Sequence, residues 1–409
     1  MFISRLSKTL LILITIVFAS VSGFAWDEIG HKLTAYIAWE RMTSDARDKA
    51  FNLLLNAPED SDLSVPYNFF NSRSEAAKRR ELFMYAANWS DVVRNRNFVV
   101  RNAKYHHGNW HYADIFWKRK NGLARRLADF NGAGGVAISK LDELEKIIRN
   151  PQSPKASRAI ALAWFLHVGG DVHNPVHNAS RVTTLEPGGD QGGNLFTLRP
   201  QGPDGVRRIN LHGYWDSIIG NYRPRKNDAS DSEYLPPIAR KIMKKFRFSK
   251  MQQRLKLRKY EQWNLEGFDL LSKVVYTTDI VRDRMPSKKY RKRAFRTAQE
   301  QIALAGYRLG ETLNDIFDHT QQDVGTIQQR DCRIIRRILY PVSKKRIPDQ
   351  KMRIALLNIC PPNKGVVARP TASVSVGGKP VYYEFDVIRF FESEKEFALS
   401  FFFVHFKTM

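Results

Sequence analysis

Apolar residues recur at helical spacing through most of the chain, and this pattern predicts a mainly α fold. Prolines and polar runs separate the apolar segments, so 58–67 and 95–109 are predicted as loops. Pro151 and Pro154 separate two of the helices. The first predicted helix covers 26–42 and continues through Thr43 to residue 55. Further helices are predicted over 75–89, 132–149, 157–171 and 291–317, and helical spacing also returns from Glu261.

Two parts of the chain depart from the helical pattern. Between residues 179 and 211, NLFTLRP and VRRINLH flank QGPDG and predict a short hairpin insertion, after which HGYWDSII returns to helical spacing. Beyond Pro361-Pro362, VVARPTASVSV and KPVYYEFDVIRFF predict a second hairpin across Gly377-Gly378. We therefore expect one large all-α domain over 26–319 and a basic, then β-rich C-terminal extension over 320–409, whose fold the pattern does not define.

Residues 1–25 have the pattern of a secretory signal peptide. Arg5 and Lys8 precede an apolar run over 10–19, and the small residues around Ala25 suit a cleavage site. The apolar run is too short for an ordinary membrane span, which needs about 20 residues. Cleavage after Ala25 would make Trp26 the first residue and would place the protein outside the cell or in the periplasm.

The chain is strongly basic. Lys and Arg number 66 against 41 Asp and Glu, which gives a formal net charge of +25, and the stretch 223–260 is especially rich in cations. Such a surplus favours a polyanionic partner, either nucleic acid or an anionic membrane surface, although it also suits solubility alone. No obligate protein partner is evident from the sequence.

The stretch HVGGDVHNPVH lies at the end of a predicted apolar helix and contains His and Asp, which are common metal ligands. His167 and Asp171 are four residues apart and share one helix face, and Pro175 then ends the helix before His177. LHGYWD repeats the His-x-x-x-Asp spacing at His212 and Asp216. One such cluster fits helix capping as well as metal binding, but the repetition favours zinc, which takes nitrogen and oxygen ligands.

The other candidate ligands lie earlier in the chain. With His31, Asp91 and His111, the set comprises five histidines and three aspartates, enough for more than one zinc with positions left open for catalysis. The two cysteines, Cys332 and Cys360, are too few for a Cys-based zinc site, and the main domain must be stable without disulfides.

Several motifs together resemble one enzyme family. WDEIGH, SDVVR, WHYAD, HVGGDVHNPVH, GGN and NLHGYWD occur in this order over about residues 26 to 318. In this, the chain resembles the trinuclear-zinc family of secreted single-strand-specific nucleases and 3′-nucleotidases, which shares its fold with bacterial zinc phospholipase C. The resemblance implies an all-α fold and three zinc ions, and it does not extend to the tail.

The resemblance also implies a role for each motif residue. His173 lies within the cluster but not at a ligand position, so it is interpreted as a structural hydrogen-bonding residue, as are His106, His107, His319 and His405. The ligand sets implied for the three zinc ions are Asp91, His111, His167 and Asp171 for the first, the free amino group and carbonyl of Trp26 with His31 and Asp171 for the second, and His177, His212 and Asp216 for the third.

Catalytic and substrate roles follow from the same resemblance. Asp91, Asp171 and Arg94 are the implied catalytic residues, with Arg94 forking onto phosphate oxygens. Tyr112 takes the base-stacking position, where Asp114 would bind a base edge and Asn194 would complete the pocket. The simpler alternatives are that Arg94 only pairs with Asp91 on the surface, and that Tyr112 is a core aromatic residue beside His111.

We therefore expect a secreted zinc phosphodiesterase that cleaves single-stranded DNA and RNA to 5′-phosphate products and also has 3′-nucleotidase activity. The principal alternative is a zinc phospholipase C, and a third is a basic polyanion-binding scaffold with an inactive site. Two features favour the nuclease. One is Asp216, at a position where the phospholipases tend to use Glu, and the other is the pair Tyr112 and Asp114. The complete set of ligand side chains argues against an inactive scaffold.

Overall fold

The structure is a computed structural model that describes residues 26–69, 74–132, 134–200, 207–225 and 230–319, together with the backbone of 371–376 and 379–384. Helices dominate the described part, which confirms the predicted mainly α fold. The helices are α1 (Glu28–Arg41), α2 (Ser44–Leu54), α3 (Glu75–Val92), α4 (Val99–Tyr105), α5 (Ala137–Arg149), α6 (Lys155–Asp171), α7 (Leu211–Asp216), α8 (Ile218–Tyr222), α9 (Asp231–Lys245), α10 (Phe248–Met251), α11 (Tyr260–Leu270) and α12 (Lys288–His319).

Helix α6 lies at the centre of the domain. From residue 161 to its end every side chain is buried, as expected for a helix that is apolar on all sides. It packs between α3 and α5 and also contacts α1, α2 and α12, while α1 packs along α12. Because α6 ends inside the core, the polar residues of its last turn are held in a buried, water-poor environment.

Local capping explains where two of the predicted helices begin and end. The predicted segment 26–55 is two helices, because Thr43 leaves the helical conformation and its hydroxyl accepts a hydrogen bond from the Ala46 amide at the start of α2. The second example is the end of α6 at Asp171, after which a 3-10 turn over Pro175–His177 follows, as the position of Pro175 predicts.

Two small sheets accompany the helices. Strands β1 (Ile115–Lys120), β2 (Leu123–Arg126) and β3 (Ala179–Arg181) form one sheet in the order β2-β1-β3, in which β1 and β3 run parallel. Strands β4 (Thr197–Arg199) and β5 (Ile209–Asn210) pair antiparallel, which confirms the predicted hairpin insertion. The sequence pattern did not predict the first sheet.

The prediction of a loop over 95–109 is wrong, because helix α4 occupies the middle of this stretch. This helix has no side-chain N-cap and begins with two β-branched residues, both poor local helix signals. Tertiary contacts hold it instead: Asn102 donates to the carbonyl of Val93 at 2.9 Å, and Arg101 pairs with Asp62 at 2.8 Å. The expected loop over 58–67 contains two short 3-10 turns.

In the tail, strands β6 (Thr371–Val376) and β7 (Lys379–Glu384) pair antiparallel. The remaining residues of 320–409 and the expected signal peptide over 1–25 lie outside the described residues. The domain boundary near residue 320 therefore stays a prediction. No helix within the described ranges combines the length and apolar character that crossing a membrane requires.

Candidate metal centre

The eight side chains predicted as ligands come together in the structure. Helices α1, α3, α6 and α7 supply six of them, and the other two, His111 and His177, belong to the segments that lead into β1 and β3. Their ligand atoms form three compact groups within the described residues, which are His31, Asp91 and His167; His111, His167 and Asp171; and His177, His212 and Asp216.

Asp171 connects the first two groups. Its Oδ2 lies 3.1 Å from His111 Nδ1 and 3.3 Å from His167 Nε2, while its Oδ1 lies 3.2 Å from His31 Nε2. The rings of His31 and His167 stack at 3.9 Å. Ligand bonds of about 2.0–2.1 Å in a tetrahedron put ligand atoms roughly 3.3 Å apart, so the spacing of these atoms would suit metal ligation.

Asp91 also lies near two of these histidines, His31 and His167, and pairs with Arg94. Its Oδ1 is 3.7 Å from His167 Nε2 and 3.0 Å from Arg94 Nε, and its Oδ2 is 3.9 Å from His31 Nε2. Burial raises the pKa of Asp91, but Arg94 and the neighbouring histidines outweigh burial and lower it below the usual value. Asp91 is therefore a carboxylate at neutral pH.

The third group is built around the end of α7. Asp216 Oδ1 lies 3.7 Å from His177 Nε2, and its Oδ2 lies 3.5 Å from His212 Nε2. Asn174 donates to Asp216 Oδ1 at 2.8 Å and fixes the carboxylate. Asn174 was missed in the sequence, although it lies within HVGGDVHNPVH between two candidate ligands.

Backbone carbonyls orient three of the histidines. The Nδ1 atoms of His167, His177 and His212 lie 2.8, 2.7 and 3.1 Å from the carbonyl oxygens of Ala87, His111 and Gly192. Because a carbonyl only accepts, each Nδ1 carries a hydrogen, and each Nε2 faces its group, where it presents a lone pair once the ring is neutral. This is the arrangement by which proteins fix the tautomer of a metal-binding histidine.

The donor set fits metal cations. The Nε2 atoms of His177 and His212 and the carboxylate oxygens Asp171 Oδ1 and Asp216 Oδ2 are buried, and among the described residues they make no hydrogen bond of normal length and angle. Buried polar atoms are normally satisfied, so unpaired lone pairs that converge are a sign of a missing cation. Imidazole nitrogen and carboxylate oxygen are the ligands that zinc prefers when cysteine is lacking.

The histidines differ in their proton affinity. Burial and the nearby charge of Arg94 lower the pKa of His111 to about 3. Burial also acts on His177, but the carboxylates of Asp216 and Asp171 outweigh it and raise the pKa to about 9. A cation bound to the third group must therefore displace a proton from His177, which makes metal binding dependent on pH.

Comparison with known proteins identifies the family of this site. The S1/P1 nuclease family model matches residues 26–318, most of the chain. The chain belongs to the S1/P1 nuclease family. It is also 24% identical over 198 residues to Nuclease S1 of Aspergillus oryzae (strain ATCC 42149 / RIB 40), a match that covers 47% of this chain and 54% of that protein.

The matched segment thus spans about half the length of that relative. Membership of the S1/P1 nuclease family supports a nuclease, a hydrolase that acts on nucleic acid. It also agrees with the metal-binding geometry, since three His/Asp groups able to hold a metal lie within the matched residues.

Trp26, expected as an additional ligand of this S1/P1 nuclease site, is buried beside the first group. Its indole Nε1 donates to the carbonyl of Gly170 at 3.0 Å, and a Cβ added at Gly170 would lie 3.0 Å from His31 Nδ1. The lack of a side chain at residue 170 thus lets α6 approach both residues. The next amide, that of Asp27, donates to the carbonyl of Asp216 at 3.0 Å.

Tyr112 and Asp114, the expected base-binding pair, lie just before β1. Tyr112 is half-buried, and its ring packs so closely on Gly135 that an added Cβ there would lie 2.6 Å from Tyr112 Cδ2. Burial and the charge of Asp190 raise the pKa of Asp114 well above its usual value. Both effects make the neutral form of Asp114, which can donate as well as accept, more accessible than in an exposed aspartate.

Asn194 forms hydrogen bonds to two neighbouring segments of the chain. Its side chain donates to the carbonyl of Gln191 at 3.0 Å and accepts from Asn210 Nδ2 at 3.4 Å, and Asn210 caps the first turn of α7. These hydrogen bonds connect Asn194 to the helix of the third group, and its expected part in the base pocket stays a prediction.

Gly192, the first glycine of QGGN, is a functional residue that the sequence reasoning missed. Its φ is +61°, and a Cβ there would lie 2.0 Å from the Val176 carbonyl oxygen, so only glycine fits without a shift of the backbone. This close approach brings the Gly192 carbonyl to His212. The signal was present in the GGN motif, but it was interpreted only through its asparagine.

His173 agrees with its interpretation as a structural hydrogen-bonding residue. Its Nδ1 lies 2.7 Å from the carbonyl of Gly169, and its Nε2 lies 2.9 Å from the guanidinium of the buried Arg308. Both ring nitrogens are thus engaged, and neither is available to a metal.

Proposed function

We propose that this chain is a zinc-dependent phosphodiesterase that hydrolyses single-stranded DNA and RNA to 5′-phosphate products and also removes 3′-phosphates from nucleotides. The observation that carries the proposal is the placement of the Asp171 carboxylate between two histidine groups, beside a third His/Asp group. Three cation positions around one cleavage site suit phosphate ester hydrolysis, in which negative charge develops on several oxygens.

The protein side chains hold and orient the reacting groups. Bound zinc supplies Lewis acidity toward phosphate oxygens and a source of activated water near neutral pH. Arg94, held at 3.0 Å from Asp91, directs its positive charge at the same groups, and a guanidinium binds two phosphate oxygens at once. Asp91 remains ionised and is thus able to orient the attacking water.

Base binding falls to Tyr112 and Asp114. The Tyr112 ring, supported by the backbone of Gly135, offers a platform on which a base stacks, an interaction worth about 1–3 kcal/mol. A protonated Asp114 can give one hydrogen bond to a base edge and accept another. This pair lies in the chain directly between His111 and β1, so a bound base would be close to the metal groups.

We also propose that the chain is exported and that cleavage after Ala25 frees the amino group of Trp26 to bind zinc together with the Trp26 carbonyl and His31. Burial of Trp26 beside Gly170 and the hydrogen bond from Asp27 to Asp216 support a chain start built into the site. An amide nitrogen is a poor ligand, so export and activation would be linked by one cleavage.

The test is an assay of purified protein that begins at Trp26, on single-stranded DNA, double-stranded DNA, a nucleoside 3′-monophosphate and a choline phospholipid. We expect cleavage of the first and third substrates, loss of activity with a chelator, and recovery with zinc. Preferred cleavage of the phospholipid would instead assign the protein as a phospholipase C. Activity that survives complete metal removal would refute the proposed mechanism.

A further inference from the structure

We propose that one face of the β1–β2 hairpin, here called the basic hairpin face and formed by Lys118, Lys120 and Arg125, binds the phosphate backbone of the single strand where it leaves the base pocket. The proposal rests on the proposed function and extends it to the part of the substrate beyond the cleaved bond.

The hairpin is preformed. Asn121 and Gly122 join its strands with φ angles of +51° and +74°, the signature of a tight two-residue turn. On the opposite face Trp117 is fully buried, and Arg119 donates to the carbonyls of Tyr276 at 2.6 Å and Gly122 at 2.8 Å. The strands are thus anchored without using the side chains of the basic hairpin face.

Those side chains are exposed cations that face each other. Lys118 is directly opposite Arg125 in the antiparallel register, and Lys120 lies two residues further along the same face. Like charges opposite one another destabilise a strand pair. Among the described residues, none of the three has an ion pair or a hydrogen bond from its side chain. A bound polyanion would relieve this repulsion.

The hairpin leads away from the metal centre. β1 begins immediately after Asp114 and pairs in parallel with β3, which follows His177, and the Ala113 amide donates to the His177 carbonyl at 2.9 Å. At about 3.3 Å per strand residue, Lys118 lies ~13 Å and Lys120 ~20 Å along the strand from Asp114. The strand that follows the base-binding residues therefore carries positive charge outward from them.

Two alternatives to nucleic-acid binding at the hairpin are binding at helix α9 and binding of the hairpin to a membrane. Helix α9, in the most basic stretch of the sequence, also exposes unpaired cations, namely Arg240, Lys241 and Lys244, but within the described residues this helix is not continuous in the chain with any candidate ligand. Membrane binding would favour large apolar side chains among the charges, and on the hairpin only Leu123 is one, 57% exposed. Continuity with the base pocket favours nucleic acid at the hairpin.

The experiment measures binding of a single-stranded oligonucleotide by fluorescence anisotropy across salt concentrations, together with cleavage of a dinucleotide too short to reach the hairpin. The hairpin variant carries Lys118→Gln, Lys120→Gln and Arg125→Gln, and the matched control carries Arg240→Gln, Lys241→Gln and Lys244→Gln. Each removes three exposed charges. We expect the hairpin variant alone to make the slope of log K against log[salt] less negative by about 2, since each phosphate contact contributes roughly 0.7.

Between 50 and 200 mM salt, a slope difference of about 2 means that the unchanged protein loses roughly 20-fold more affinity than the hairpin variant. Dinucleotide cleavage should be unchanged in both variants. The single change Arg125→Glu should weaken oligonucleotide binding and yet raise the Tm, because it replaces a cross-strand repulsion with an attraction. A hairpin that served only stability would not show these opposite effects.

Equal slopes for the hairpin variant and the unchanged protein, or a change confined to the α9 control, would overturn the proposal. So would loss of binding to phosphatidylserine vesicles with oligonucleotide binding intact, which would assign the face to a membrane. If the unchanged protein binds oligonucleotide through the hairpin but cleaves no substrate, the basic hairpin face stands and the proposed function fails.

Discussion

Asp171→Asn tests the bridging carboxylate most directly. The substitution keeps the shape of the side chain but replaces one acceptor oxygen with an NH₂ group and removes the negative charge. Asp171 faces His31 through one oxygen at 3.2 Å and His111 and His167 through the other at 3.1 and 3.3 Å. Two of the three groups therefore lose an anionic ligand in a single substitution.

The size of the effect follows from the ligand count. Residues that only support a metal ligand change affinity by 10- to 100-fold, so loss of a ligand itself should weaken each of the two sites by at least 100-fold, or about 2.8 kcal/mol per site. Asp216→Asn is the matched control, because it makes the same chemical change at the same helical spacing from a histidine but touches only the third group.

The assay is metal analysis of the purified variants after dialysis, with nuclease activity measured in parallel. We expect Asp171→Asn to lose more than one zinc per chain and its activity, and Asp216→Asn to lose about one zinc. If Asp171→Asn loses no more zinc than Asp216→Asn, or keeps its activity, Asp171 does not bridge two ions.

Three further predictions concern the base pocket, the chain start and acid stability. Tyr112→Ala should raise KM for single-stranded nucleic acid about 5- to 150-fold through lost stacking while the zinc content stays unchanged, and a fall in zinc content would contradict a substrate role. Protein that carries Met before Trp26 should hold about one zinc fewer than protein that begins at Trp26, by metal analysis. Lys32 and Arg225 outweigh burial and lower the pKa of Asp231, so its stabilisation is present above its unfolded pKa of about 4 and is lost as the pH falls through the folded value. Asp231→Asn should therefore lower the Tm at pH 7 and flatten its dependence on pH below 4, which thermal unfolding across pH checks.

Much of the helical scaffold was predictable because its signals are local. The apolar run before His167 predicts a buried helix, the spacing to Asp171 puts both side chains on one face, and Pro175 begins the 3-10 turn that follows the helix end at Asp171. The same spacing in LHGYWD predicts α7 and its ligand pair. These features depend on residues within one or two helical turns of each other.

The unpredicted features depend on partners far away in the chain. β1 pairs with β3 across about sixty residues, and the basic hairpin face becomes visible only in the register of β1 and β2. α4 has weak local signals and is held by Asp62 and the Val93 carbonyl. Nothing in a local pattern shows that the Gly192 carbonyl reaches His212 twenty residues later.

The metal groups also bear on how the fold is stabilised. His177 Nε2, His212 Nε2 and Asp216 Oδ2 are buried without hydrogen bonds of normal geometry, and an unsatisfied buried polar atom costs about 1–3 kcal/mol. Three such atoms in one group would cost roughly 3–9 kcal/mol, comparable to the whole stability of a typical domain, about 5–15 kcal/mol. A cation bound by these atoms would offset that cost, which is why we expect the metal-bound protein to be the more stable form. Metal bound at the candidate catalytic groups would also stabilise the end of the central helix α6, so we expect folding and metal loading to be thermodynamically linked, with a lower Tm after chelation as the measurement that checks it.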